Sequence, residues 1–105
     1  MVTQVEIQQL VNEIAEGYKP DKIYLFGSYA NGTPNADSDI DLFIVKDTNK
    51  RKNERSIDVR MTIKHYINSM DIIVYTPAEL KKAMTYFMNI GKIAVNTGKL
   101  LYERI

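Results

Sequence analysis

Phe26-Gly27-Ser28-Tyr29-Ala30-Asn31-Gly32 and, a few residues on, Ser38-Asp39-Ile40-Asp41-Leu42-Phe43-Ile44-Val45 decide how this chain is read. The second stretch has the composition of a β-strand from Asp39 to Val45. Side chains on a strand alternate with period two, so Ile40, Leu42 and Ile44 share one face, and Asp39, Asp41, Phe43 and Val45 share the other. Two carboxylates at i and i+2 then sit about 6 to 7 Å apart at the backbone, within reach of one or two hard cations. The first stretch ends a shorter strand, Lys22 to Phe26, at a glycine followed by a serine. Gly27 lets backbone approach a ligand closely, and Ser28 adds a hydroxyl beside an amide, which together can cradle phosphate oxygens.

Working outward, Ser28 to Ser38 is interrupted at Gly32 and Pro34 and reads as an exposed loop with room for one helical turn. For the end of the first strand to meet the start of the second, the two must run antiparallel. A third strand follows from Met70 to Tyr75, after a polar run from Lys46 to Arg55 and a helix whose spacing (Ile57, Met61, Lys64, Ile67) carries it into Asn68. Strand, helix, strand connections make parallel neighbours, so Asp71 at the start of the third strand is expected beside the start of the second. Three carboxylates would share one end of the sheet.

The remaining elements frame that sheet. Thr3 and Glu6 have capping-box spacing, and Ile7, Leu10, Val11 and Ile14 recur with helical period, predicting a helix to about Tyr18 that Gly17 and Pro20 end. Thr76, Pro77 and Glu79 fit the N-cap, N1 and N3 positions of a later helix. Apolar residues continue to Ile90, and Gly91 divides the region in two. Gly98 stops it, leaving Lys99 to Ile105 for a last strand or an extended tail. The expected fold is α/β (α+β), a small mixed sheet of three or four strands with helices packed mainly on one face and the carboxylate face left open.

Composition narrows the function classes. The chain has 105 residues, 45% of them hydrophobic, enough for one modest core and hence a single domain. It has no cysteine, no long apolar run and no basic start leading into one, so disulfides, a membrane span and a secretory signal are not expected, and the cytoplasm is the default compartment. Fourteen Lys and Arg against 13 Asp and Glu give a formal charge of +1, which argues against a broad grip on a nucleic-acid backbone.

Taken singly, an Asp-x-Asp is more often a solvated strand edge than a metal site, and a Gly-Ser pair is usually a turn; it is their joint spacing that points to a site. Asp37 reads as a turn residue, and His65, the lone histidine, as a surface or partly packed side chain. Lys46, Lys50, Arg51, Lys52 and Arg55 read as a solvated basic loop. Tyr86, Phe87, Met88 and Ile90 read by default as core packing.

Gly27-Ser28-Tyr29-Ala30-Asn31-Gly32 followed by Ser38-Asp39-Ile40-Asp41-Leu42 resembles the signature of the DNA polymerase β-like nucleotidyltransferase superfamily, in particular its minimal, MNT-type branch. The resemblance implies that Gly27 and Ser28 hold a triphosphate, that Asp39 and Asp41 bind metal, and that Asp71 completes a catalytic triad as a metal ligand and general base. It implies Mg2+, one or two ions, as cofactor and ATP as substrate. Many members carry a basic residue where Asn31 stands, so one charge contact to phosphate is missing. MNT proteins often act as antitoxins of HEPN-domain ribonucleases, some by attaching AMP to a tyrosine, so the expected function is transfer of AMP or another NMP to a HEPN-type partner protein. The rival expectations are an antitoxin that neutralises its partner by binding alone, and an enzyme acting on a small molecule.

Overall fold

A computed structural model describes residues 1–105. The elements are α1 (Gln4–Tyr18), β1 (Lys22–Phe26), α2 (Ser28–Asn31), β2 (Ile40–Val45), α3 (Lys52–Arg60), β3 (Met70–Tyr75), α4 (Pro77–Ala83), α5 (Ile90–Thr97) and β4 (Lys99–Glu103). The strands form one mixed sheet in the order β3-β2-β1-β4. β1 pairs antiparallel with β2 and with β4, and β2 pairs parallel with β3. The segment after Gly98 is therefore a fourth strand on the β1 edge, and the expected mixed α/β sheet forms.

α1 begins where its capping box predicts. The Thr3 hydroxyl accepts from the Glu6 amide at 3.1 Å, and Glu6 Oε1 accepts from the Thr3 amide at 2.9 Å. Its buried stripe, Ile7, Leu10, Val11 and Ile14, packs on Ile23 and Leu25 of β1, Ile40, Leu42 and Ile44 of β2, and Ile72 and Val74 of β3. Gly17 does not end the helix. It lies inside it, where a Cβ would stand 2.7 Å from that of Thr62, so the glycine admits a close crossing; the stop is Lys19 in the left-handed region at φ 54°.

The other face of the sheet is not left wholly open. Tyr24, Phe26, Phe43 and Val45 are covered there by Ala94 and Val95 of α5 with Leu80 and Ile90. A second helical layer thus adds to the main one formed by α1, α2 and α3.

Four further expectations are corrected. The middle helix lies at Lys52–Arg60, earlier than the Ile57-to-Asn68 spacing suggests. Its inward residues are Arg55 and Val59, while Ile57 and Met61 point outward. An arginine on the buried stripe disguises the true phase, because sequence patterning counts it as solvated. The basic run is solvated only in part, at Lys50, Arg51 and Lys52. Arg55 is buried and chelated, donating to the Lys50 and Val74 carbonyls at 2.8 and 3.1 Å and to the Glu79 carboxylate at 2.6 and 3.2 Å. Lys46 Nζ caps α1 by donating to the Tyr18 and Lys19 carbonyls. Finally, α4 stops at Ala83, and Asn89 rather than Gly91 starts α5, its side chain accepting from the Lys92 amide. The intervening Tyr86, Phe87 and Met88 are exposed rather than core, Phe87 at 89%.

Candidate active site

β1 delivers Gly27 to the same end of the sheet from which β2 and β3 depart. The antiparallel register sets Phe26 opposite Asp41, and the parallel register sets Asp41 opposite Asp71. Cross-strand partners project on one face, so Asp41 and Asp71 stand side by side on the face that also carries Phe43, just beyond the cover of α5. Asp39 precedes the first residue of β2, and its Oδ1 accepts from the Ser69 hydroxyl.

Gly27 has a conformation, φ 76° and ψ −156°, that an L-residue avoids. A Cβ there would overlap Asp41 Oδ2. The glycine therefore makes room for the carboxylate while turning the chain into α2, whose Ala30 and Asn31 amides donate to the Gly27 carbonyl at 3.1 and 3.0 Å. The earlier amides of a helix lack intrahelical acceptors, so Ser28 and Tyr29 sit where outward N–H groups are found. Buried Tyr29 and Ala30 hold the turn in place, with the Tyr29 hydroxyl accepting from the Val2 amide at 3.1 Å. Gly32 closes it at φ 75°.

The loop that follows is organised by Asn35. Its Oδ1 accepts from the Asp37 amide at 2.8 Å, and its own amide donates to the Ser38 hydroxyl at 2.9 Å, so Asp37 is a turn residue. Asn68 Nδ2 donates to the Ser38 and Ser69 carbonyls and ties this loop to the entrance of β3. Asn68 and Ser69 were not signalled by the sequence, since their importance comes from the register that brings residues 38 and 69 together. His65 stays on the surface, paired with Glu13 at 3.0 Å, and Asn31 is exposed at the end of α2.

Electrostatics single out Asp41. Burial first, then repulsion from Asp71, a hydrogen bond shared with the Asp71 carboxyl and the field of Asp39, raises its pKa from 3.8 to about 6. Like charges packed this closely are held at a cost in stability that a divalent ion would offset. The three carboxylates do not yet close into a single three-ligand cage, Asp39 being turned to Ser69. Asp41 and Asp71 supply adjacent hard oxygen donors of the kind that suits Mg2+, which keeps waters or phosphate oxygens in the rest of its shell.

Comparisons with known proteins bear on the family and the fold. Residues 8–104 match the sequence model of the family described as "Polymerase beta, Nucleotidyltransferase". The fold is similar to the 1.40 Å crystal structure of a candidate nucleotidyltransferase from Sulfolobus solfataricus, with a TM-score of 0.63 and 24% identity over 93% of this chain and 78% of that one. No curated protein matches the chain. With nearly its whole length matched by the family's sequence model, the chain belongs to the polymerase β-type nucleotidyltransferases.

Proposed function

We propose that this chain is a Mg-dependent nucleotidyltransferase that moves AMP from ATP to a hydroxyl of a partner protein, a HEPN-type toxin to which it is the antitoxin. The observation that carries the reading is the register of Asp41 opposite Asp71, beside a glycine that has no room for a methyl group. Asp41 and Asp71 would hold Mg2+, with Asp39 recruited from its Ser69 contact. Gly27 and Ser28 would receive the triphosphate with the amides and hydroxyl at the start of α2. When bound, the metal neutralises charge on the α-phosphate and on the departing pyrophosphate.

The acceptor oxygen forms a bond to the α-phosphorus as the bond from that phosphorus to the bridging oxygen breaks, and pyrophosphate leaves with those electrons. Asp71, exposed at the start of β3 beside Asp41, takes the acceptor proton. HEPN pairing and AMP as the transferred unit rest on the MNT-type signature at residues 27–42.

The test is incubation with radiolabelled ATP and Mg2+, with and without the HEPN protein, using wild type and the Asp39→Asn, Asp41→Asn double variant. Label on the partner that disappears with the double variant is the expected result. A stable complex with no label on the partner would sink the catalytic reading and leave neutralisation by binding.

A further inference from the structure

The widest cleft in the molecule is not at the carboxylates. It measures about 390 Å³ and lies where the start of α3, the end of β3 and the α4–α5 turn meet, with Lys52, Tyr75, Glu79, Lys82 and Tyr86 in its walls and Ala83 beneath. Tyr75 stands four residues beyond Asp71 along β3, so the cleft opens about 13 Å from the carboxylates at the usual strand rise.

Its charge is one-sided. Glu79 is the only acid in the wall, and its carboxylate is already paired with Arg55 at 2.6 Å. Lys52 and Lys82 form no ion pair with any carboxylate. Lys52 Nζ rests 4.7 Å from the centre of the Tyr75 ring, a weak partner that a phosphate can replace. Tyr86 is 55% exposed, which leaves its ring available as a stacking surface. Two unpaired ammonium groups beside aromatic walls make a place for an anion with a planar ring attached. The volume is in the range of small-molecule sites, well beyond what a bare phosphate fills.

We propose that this cleft is a nucleoside-phosphate site separate from the carboxylate centre, the base lying against Tyr86 and the phosphate between Lys52 and Lys82. The neighbouring Phe87 and Met88 extend the exposed surface, but nothing about them identifies an occupant, and the proposal does not use them. It stands independently of whether the carboxylates transfer AMP to a protein.

The experiment is a titration of the 15N-labelled chain, in EDTA, with AMP, adenosine and inorganic pyrophosphate, followed by amide shifts. AMP is expected to shift Lys52, Tyr75, Ala83 and Asn89, and to bind at least about fivefold more tightly than adenosine or pyrophosphate, since base stacking and phosphate charge each contribute. Replacing both lysines, Lys52→Ser with Lys82→Ser, should weaken AMP about tenfold, a loss of about 1.4 kcal/mol, with the thermal midpoint unchanged. Three results overturn the proposal: no shifts, shifts confined to residues around Gly27 and Asp41, or pyrophosphate or adenosine binding as tightly as AMP.

Discussion

At Gly27 the absence of one methyl group decides where the Asp41 carboxylate can go. Gly27→Ala meets two obstacles at once, a backbone conformation at φ 76° that disfavours side chains and a Cβ overlapping Asp41 Oδ2. It should destabilise the protein by about 2 kcal/mol in urea unfolding. Nucleotide transfer should fall on the order of a hundredfold, because a carboxylate displaced by about an ångström would no longer hold the metal against the phosphate. A variant with wild-type transfer would remove Gly27 from the site. Asp41 makes the opposite prediction for stability. Its folded pKa of about 6 lies above its ordinary 3.8, so the folded state binds more protons over that interval. The penalty of ionised Asp41 is fully present above about pH 6 and fades as pH falls toward 4. In EDTA, Asp41→Asn should therefore be more stable than wild type at pH 8, by about 1 to 2 kcal/mol after allowing for partial exposure, and nearly equal at pH 4. Equal denaturation midpoints at pH 8 would contradict the charge crowding.

Among the elements, α3 shows how an arginine joins helices to a sheet. Arg55 bonds the loop before its own helix, the backbone of β3 and the Glu79 that also completes the Thr76 capping box of α4. Arg55→Met should lower stability by about 3 kcal/mol, since it leaves a carboxylate and two carbonyls without their donor. The hydrogen bond from Arg55 is the first cause of a lowered Glu79 pKa, so the pair's contribution is present above the ordinary 4.5 and is lost as pH falls below it. The gap between Arg55→Met and wild type, read by urea unfolding, should accordingly narrow on acidification below pH 4.5; a gap independent of pH would assign the loss to packing alone. The sequence signals for α1 and α4 were strong because caps are local: Thr3 with Glu6, and Thr76 with Glu79, need only their own neighbours. For α3 they were weak, because its inward face is chosen by a partner on another helix.

Across the molecule, the sheet is covered on one face by α1 to α3 and on the other by α4 and α5, and the carboxylates stand at the end this second layer does not reach. A ligand bound there is linked to the whole fold. Mg-ATP at a hundred times its dissociation constant should raise the unfolding free energy of wild type by about 2.7 kcal/mol, and that of the Asp39→Asn, Asp41→Asn variant far less, as read by calorimetry. Equal stabilisation of both proteins would place the nucleotide elsewhere. The sequence by itself determined the strands at 22–26, near 40–45 and at 70–75, the Gly27-Ser28 turn, and the meeting of Asp41 with Asp71, because period-two alternation and the parallel rule for strand-helix-strand units act through short stretches of chain. Only the tertiary structure decided that Ser69 engages Asp39, that Arg55 is buried, that Phe87 and Met88 are exposed, and that a cleft opens between Lys52 and Tyr86. Each of these depends on which distant residue arrives opposite, and burial is a property of that meeting rather than of the side chain's own chemistry.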